Sequence, residues 1–335
     1  MTTAPTPTYH TMRAVLHDRY GTSSVLRLGR VTIPEIGDHD VLIDVRAAGL
    51  DRGTEHLMTG KPYAMRLATG IRHPKNPVPG RDVAGIVAAI GGAVTRFTIG
   101  DEVYGVAPGS FAEYAVARET QLARKPSNLS FAQAAVVPVS AATALRALLD
   151  VGRVQSGQSV LVLGASGGVG SYAVQLAKAF GAEVTGVCST TKTDLVASLG
   201  ADHVIDYTHD DVADGTRTYD LVLDIAGNPS LRQLRHALKP RGTAVFVGGE
   251  GSGVITGMGR QMRGVLISPF LQQRLVLLLA KERSSDYERL TDLIESGQVT
   301  PSLDRTYSLE EVPQAMRQLE TGQIRGKLAI TPGRA

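Results

Sequence analysis

The sequence predicts an α/β protein that combines a doubly wound parallel sheet with a second, β-rich domain. Along the middle of the chain, apolar runs alternate with helical segments, which indicates right-handed βαβ units and a parallel sheet. The first third contains short apolar or alternating runs between glycine, proline and aspartate residues, which is typical of strands and turns. The chain of 335 residues is long enough for two domains and a large core.

The β-rich part comes first along the chain. Residues 1–10 are polar and rich in threonine and proline, so we expect a loose tail that does not resemble a secretory signal. The predicted strands of this part are residues 31–33, 41–45, 83–90, 102–104 and 112–116.

The parallel sheet is predicted in the middle of the chain. Residues 130–149 are expected to form a long linking helix, which Pro138 must interrupt or kink. Near the end, a helix is predicted at residues 310–320 and a last strand at residues 327–330. The predicted parallel strands are residues 160–163, 184–187, 204–205, 221–225 and 244–247.

The first of these parallel strands leads into the most informative motif of the chain. A glycine-rich turn follows it, and a segment with helical spacing follows the turn. This order is typical of the phosphate cradle of a dinucleotide-binding domain, where Gly167 permits close approach of a pyrophosphate and Gly170 permits close helix packing. Ala165 replaces the first glycine of G-x-G-x-x-G, so an ordinary glycine-rich turn is the alternative. The predicted cradle residues are Gly164, Ala165, Ser166, Gly167, Gly168, Val169 and Gly170.

The end of the next strand predicts which dinucleotide binds. An acidic residue there usually contacts the ribose of NAD. This chain instead has Cys188, Ser189, two threonines and Lys192. Because a 2′-phosphate needs hydrogen-bond donors and a cation, we predict NADPH as the cofactor. The alternative is a serine/threonine-rich helix cap with Asp194 in the first turn, and both can hold together.

Composition limits the other classes of function. The net charge is +3 and no dense basic run occurs, so a nucleic-acid partner is not expected. Cys188 is the only cysteine, which excludes an intramolecular disulfide and is compatible with a cytoplasmic location. The apolar run at residues 275–280 is too short to cross a bilayer.

Several motifs in order resemble the medium-chain dehydrogenase/reductase superfamily, in its zinc-free quinone oxidoreductase branch. The resemblance covers nearly the whole chain. Within the branch, the chain is similar to a subgroup related to chloroplast-envelope quinone oxidoreductase homologues. It implies a GroES-like catalytic domain at residues 1–128 and 283–335, and a Rossmann NADPH-binding domain at residues 129–282. It also implies homodimers, or tetramers, joined through an edge of the nucleotide-domain sheet. The matching segments are residues 80–85, 97–103, 135–144, 164–170, 199–207 and 325–327.

The resemblance implies further cofactor-binding residues around a cleft between the two domains. Ser189, Lys192 and Tyr207 would line the adenosine-phosphate end, and Thr143 would lie near the nicotinamide. Lys327 would lie near the cleft. The glycines that would allow close approach to the cofactor are Gly227, Gly248 and Gly249.

The positions that hold zinc ligands in zinc-dependent members differ here. Asp51 stands where those members have a cysteine, and Arg81 stands where they have the histidine. Arginine is not a ligand and a zinc site needs three protein ligands, so we predict no metal. Asp51 and Arg81 could form an ion pair that fills this space, or they could be two unrelated surface charges.

Without a metal, the expected small-molecule substrate is a quinone or an α,β-unsaturated carbonyl compound, because a conjugated system accepts hydride and spreads the charge. Tyr63 is either a substrate contact or proton relay, or a packing aromatic. The inserted residues 65–76 lie beside the expected cleft, where loops change substrate choice. The alternative functions are a zinc-free carbonyl reductase or alcohol dehydrogenase, and a non-catalytic NADPH-binding protein.

Overall fold

The computed structural model describes residues 11–212, 215–227, 229–248, 257–279 and 283–333, so the N-terminal tail lies outside the described residues. The strands are β1 (Thr11–Leu16), β2 (Arg27–Thr32), β3 (Asp40–Leu50), β4 (Asp82–Ile90), β5 (Glu102–Val106), β6 (Tyr114–Arg118), β7 (Leu122–Arg124), β8 (Ser159–Leu163), β9 (Glu183–Cys188), β10 (His203–Asp206), β11 (Tyr219–Asp224), β12 (Leu238–Phe246), β13 (Arg274–Leu277), β14 (Leu303–Ser308) and β15 (Lys327–Thr331). The α-helices are α1 (Arg52–Thr59), α2 (Arg66–Thr69), α3 (Phe131–Ala135), α4 (Pro138–Arg146), α5 (Gly168–Ala179), α6 (Thr193–Ser198), α7 (Leu231–Ala237), α8 (Gly259–Ile267), α9 (Ser284–Glu295) and α10 (Val312–Glu320).

A parallel sheet forms the nucleotide-binding half of the fold. Within the described ranges it has six strands in the order β10-β9-β8-β11-β12-β13, and every neighbouring pair is parallel. The chain runs outward from β8 in both directions, through β9 on one side and β11 on the other. Ligands of such sheets bind outside the carboxyl ends of the strands, at the point where the strand order reverses. The predicted doubly wound sheet is confirmed.

The second sheet combines strands from both ends of the chain. Over the part that the structure describes, it has seven strands in the order β14-β15-β3-β4-β5-β7, with β6 paired to β3. Leu328 and Ile330 of β15 pair antiparallel with Leu50 and Ala48 of β3. This return of the chain end to the sheet that contains the N-terminal strands is the GroES-like arrangement that the resemblance implied.

A two-part helix links the sheets. Ser130 and Gln133 form a reciprocal capping box at the start of α3. Pro138 is the first residue of α4, where its missing N–H removes no hydrogen bond. The predicted linking helix is therefore two helices, divided next to the expected proline.

One apolar core connects the two sheets. Ala47, Ala84 and Tyr104 from the second sheet belong to the same buried cluster as Val160 and Leu221 from the parallel sheet. On the side of the second sheet, the Tyr104 hydroxyl donates to the Tyr287 carbonyl oxygen of α9 at 2.6 Å. The shared core packs the two halves of the molecule against each other beside the intervening cleft.

Several of the described elements have no counterpart in the predictions: β1, β7, β13, β14, α1, α2, α8 and α9. β13 overlaps the apolar run at residues 275–280, which was judged from the sequence only as a possible membrane segment and not as a strand. No described helix combines the length and apolar character that crossing a membrane requires.

Candidate active site

A large cavity lies between the two halves of the molecule. Its volume is about 1140 Å³, and its floor is the carboxyl end of the parallel sheet. The glycine-rich turn after β8 and the residues after β9 form one side. α1, α4 and residues 319–327 form the opposite side. The cavity therefore occupies the switch point at which a doubly wound sheet binds its ligand.

The backbone of the glycine-rich turn is accessible at Gly167 and closely packed at Gly170. A Cβ built on Gly167 would meet only the Gly164 carbonyl oxygen, at 3.4 Å. A Cβ on Gly170 would lie 2.0 Å from that same oxygen. α5 begins at Gly168, and the first amides of a helix have no partner within the helix. Open backbone and free amides at a helix N-terminus fit a pyrophosphate group.

The predicted cradle residues divide between the cavity wall and the layer beneath it. Ala165 is fully buried. The Ser166 carbonyl oxygen accepts a hydrogen bond from the Gly326 amide at 3.1 Å, which ties the turn to the catalytic domain. The cradle residues on the wall are Gly164, Ser166, Gly167, Gly168 and Val169.

Polar residues surround the predicted adenosine-phosphate end. Ser189, Lys192 and Tyr207 all line the cavity. The Lys192 ammonium donates to the Gly322 carbonyl oxygen at 2.9 Å. Burial lowers the pKa of Lys192. A nearby carboxylate, Asp206, accepts a hydrogen bond from the Thr190 hydroxyl, which lowers the pKa of that carboxyl group.

The predicted nicotinamide end also lies on the cavity wall. The Thr143 hydroxyl donates to the Val139 carbonyl oxygen at 2.6 Å. Gly227 has a φ of +119°, a conformation that side chains rarely adopt. Gly248 lines the cavity beside it. Gly249 lies outside the described residues.

A buried charge pair reaches the cavity wall, which Lys327 lines and behind which Asp82 lies. Lys327 is 1% exposed and Asp82 is 0% exposed, and their Nζ and Oδ2 atoms are 3.6 Å apart. Asp82 Oδ1 accepts a hydrogen bond from the Val139 amide at 3.0 Å, near the start of α4. Burial raises the pKa of Asp82 to about 7, although the Lys327 charge opposes this rise. The pair connects β15, β4 and α4 at the cavity wall.

Asp51 has a structural role at the start of α1. Its Oδ1 accepts hydrogen bonds from the Thr54 amide at 2.7 Å and the Thr54 hydroxyl at 2.9 Å. Asp51 also lines the cavity, and its charge raises the pKa of Asp82. The Arg81 charge lowers the pKa of Asp82. The ion pair between Asp51 and Arg81 stays a prediction. In the described ranges, no group of three or more His, Cys, Asp or Glu residues is arranged to hold a metal ion.

Tyr63 packs against an arginine beside the inserted loop. The Arg66 guanidinium lies 4.6 Å from the centre of the Tyr63 ring and 4.3 Å from that of Tyr20. Tyr63 is 44% exposed, and the cavity wall does not include it among the described residues. The contact supports the packing interpretation of Tyr63, and its catalytic role stays a prediction. Leu67 and Ile71 of the insertion are 78% and 70% exposed.

Sequence reasoning missed the contribution of α1 to the cavity. Arg52, Glu55 and His56 line it, and the Arg52 guanidinium pairs with Glu55 at 2.6 Å. Asp51, which the sequence placed beside the expected cleft, immediately precedes α1. That position could have indicated that α1 also lines the cleft. Leu319, Gly322 and Ile324, in the segment before β15, were also missed.

Comparisons with known proteins agree with this architecture. The model of the "Alcohol dehydrogenase GroES-like domain" matches residues 37–127, and the model of the "Zinc-binding dehydrogenase" family matches residues 199–330. The chain belongs to the medium-chain dehydrogenase/reductase superfamily, among its quinone oxidoreductase-like members.

Its similar relatives are named as reductases. A 2-methylene-furan-3-one reductase of Solanum lycopersicum is 36% identical, over 96% of this chain and 79% of the relative. An NADPH-dependent alkenal/one oxidoreductase, chloroplastic, of Arabidopsis thaliana is 35% identical, over 96% and 80%. The structure of the quinone oxidoreductase from Coxiella burnetii superposes with a TM-score of 0.85 at 29% identity, over 96% of this chain and 100% of that one.

Proposed function

We propose that this protein is an NADPH-dependent oxidoreductase that reduces quinones or activated alkenes without a metal. The observation that carries the proposal is the open backbone at Gly167 in a cavity that also contains Lys192. The names of the relatives, an alkenal/one oxidoreductase and a furanone reductase, support the same reaction class.

The cavity residues fit NADPH along its whole length. The turn at Gly167 and the N-terminus of α5 would hold the pyrophosphate. Ser189, Lys192 and Tyr207 would hold the 2′-phosphate end, and Thr143, Gly227 and Gly248 would hold the nicotinamide end. Bound NADPH supplies a hydride, so the protein must position the acceptor and exclude water.

The substrate side of the cavity favours acceptors that need little polarisation. Asp51 and Arg81 replace two residues that bind zinc in zinc-dependent relatives, so no Lewis acid is expected there. A conjugated carbonyl spreads the developing charge over several atoms. Asp51, Arg81 and Tyr63 stay the proposed catalytic side chains, with Tyr63 as a substrate contact or proton relay.

We further propose a homodimer, or a tetramer built from it, formed through the edge strand β13. Apolar side chains next to this edge support the proposal, because Leu266 is 67% exposed and Phe270 is 88% exposed. Such large exposed apolar groups are typical of interfaces. A monomer in sedimentation at micromolar concentration would contradict it.

The remaining proposals concern location and domain limits. We propose a cytoplasmic location, supported by the single buried cysteine. The proposed catalytic domain is residues 1–128 and 283–335, and the proposed NADPH domain is residues 129–282. The pairing of β15 with β3 supports these limits.

The proposed function is tested by following NADPH and NADH oxidation with quinones, enones, enals and aldehydes. We expect turnover of the conjugated acceptors with NADPH, no stoichiometric zinc and no effect of chelators. Lys192→Ala should weaken NADPH binding by roughly 1–3 kcal/mol and spare NADH, as for one charge-assisted contact. Equal affinity for both cofactors, or one zinc per chain lost together with activity, would refute the proposal.

A further inference from the structure

Two sets of contacts cross between the domains beside the predicted 2′-phosphate site. In one direction, the Lys192 ammonium donates to the Gly322 carbonyl oxygen at 2.9 Å. In the other, the Arg325 guanidinium donates to the Thr191 carbonyl oxygen and to the Asp194 carboxylate, both at 2.7 Å. The Arg325 amide is fixed in its own domain by the Asp304 carboxylate at 3.0 Å. Arg325 therefore holds the turn Thr190–Lys192 from the opposite side of the cleft.

Among the residues that the structure describes, no anion is paired with the positive charge of Lys192. An ammonium group has three donors, and in the described part of the chain Lys192 makes a single hydrogen bond, to a neutral carbonyl. Burial lowers the pKa of Lys192, and the nearby Arg325 and Arg52 charges lower it further, while Cys188 and Asp304 oppose this effect. Holding like charges together beside a cavity is costly unless an anion joins them. A phosphate dianion satisfies that requirement.

Arg325 differs from Lys192 in already having a charged partner. Its guanidinium is paired with Asp194, and its second hydrogen bond fixes the carbonyl group of the residue before Lys192. Those contacts determine where the turn, and hence the Lys192 side chain, stands. Arg325 can thus influence phosphate binding without contacting the phosphate.

We propose that Arg325 is a positioning residue for recognition of the 2′-phosphate, and that it acts by holding Lys192 in place from the catalytic domain. The inference rests on the proposed function, because it assigns how the same cofactor site distinguishes NADPH from NADH. It makes cofactor preference a property of both domains together. A dinucleotide without the 2′-phosphate should be insensitive to Arg325.

Calorimetric titration of the full-length protein with adenosine 2′,5′-bisphosphate and with adenosine 5′-monophosphate tests the proposal without any turnover. The variants are Arg325→Ala, Lys192→Ala and the double variant. Arg325→Ala should weaken bisphosphate binding about tenfold, as for one lost charge-assisted contact, and leave monophosphate binding unchanged. In the Lys192→Ala background, Arg325→Ala should weaken bisphosphate binding by less than about twofold, because the effects of residues that act through one another are not additive. Arg305→Ala, at an exposed arginine of the same domain, is the matched control.

Each other result contradicts a specific step. If Arg325→Ala weakens both ligands equally, or neither, Arg325 has no role in phosphate recognition. If its effect is the same with and without Lys192, Arg325 acts independently of Lys192 and the positioning role is wrong. If the parent protein binds both ligands equally, the proposed NADPH preference fails, and this inference fails with it. Thermal melts of each variant separate these results from loss of folding.

Discussion

Asp82 and Lys327 form a buried charge pair whose geometry is incomplete. The 3.6 Å separation of Oδ2 and Nζ is too long for a hydrogen bond, and neither atom has another hydrogen-bond partner among the described residues. Removing one partner of such a pair leaves an uncompensated buried charge, which typically costs 3–5 kcal/mol. Lys327 also contacts the start of α5, because a Cβ on Gly168 would lie 2.9 Å from its Cδ. The pair therefore links the stability of the fold to the position of the cofactor turn.

Asp82→Asn should change how stability depends on pH. In the folded protein the Asp82 carboxyl has a pKa of about 7, whereas in the unfolded chain it is about 3.9. Between these values the folded state holds a proton that the unfolded state has released, so the parent loses stability as pH rises, by at most about 1.4 kcal/mol per pH unit. The asparagine variant lacks this loss.

Chemical denaturation of both proteins across this pH range measures the effect. The free energy of unfolding of Asp82→Asn, relative to the parent, should increase from about pH 4 to about pH 7 and then level off. If the difference in the free energy of unfolding between the two proteins stays constant with pH, burial does not raise the pKa of Asp82.

Gly167→Val should abolish NADPH binding in a protein that still folds. The Gly167 backbone has a φ of −83°, which valine can adopt, and a Cβ there meets only one protein atom within 4 Å. The added side chain would instead occupy the space of the pyrophosphate. We expect no detectable NADPH binding in calorimetry and a change in stability below about 1 kcal/mol.

Gly92→Val is the control for that variant, because Gly92 is an exposed glycine with open space around its Cβ position. It should bind NADPH normally. Normal NADPH affinity in folded Gly167→Val would mean that this turn is not the phosphate cradle.

At the scale of elements, the sequence predicted best where burial is complete. β8, β9, β11 and β12 are apolar runs because strands of a parallel sheet are covered on both faces. The eight residues of α1 (RGTEHLMT) include only two large apolar side chains, Leu57 and Met58, so neither that helix nor its side of the cavity was predicted. β13 has only four residues, and its pairing with β12 determines it. The cofactor turn was predictable because its glycines follow from local packing, whereas Asp82–Lys327 and Arg325–Thr191 join positions far apart in the chain.

Gly170→Ala tests the packing of α5 on the sheet. A Cβ at this position would lie 2.0 Å from the Gly164 carbonyl oxygen and 2.8 Å from the Ala165 Cα, both of which are backbone atoms. α5 must shift to admit it, which should cost roughly 1–3 kcal/mol of stability and weaken NADPH binding. Gly259→Ala, at a helical glycine with open surroundings, should cost nothing. Equal stabilities of the two variants would contradict the close packing.

The whole molecule brings together a cofactor site and a substrate wall from separate sheets. Continuous core packing and the contacts of Arg325, Lys192 and Gly326 join the two halves around the cavity. Much of the cofactor side of the cavity was predicted, because most of its residues follow the carboxyl ends of successive parallel strands. The substrate side was not, because α1 and residues 319–327 meet only in the folded chain. Recognition of the cofactor and exclusion of water from the substrate thus both depend on the contacts between the two halves of the molecule.

The most direct test of the central claim follows the hydride itself. The purified, chelator-treated protein is incubated with a conjugated enone and NADPH in which both hydrogens at the nicotinamide C4 position are deuterium, and the product is examined by NMR. The account predicts a saturated ketone with one deuterium on the carbon β to the carbonyl group. Deuterium on the carbinol carbon of an allylic alcohol, or the absence of any deuterated product, would contradict it.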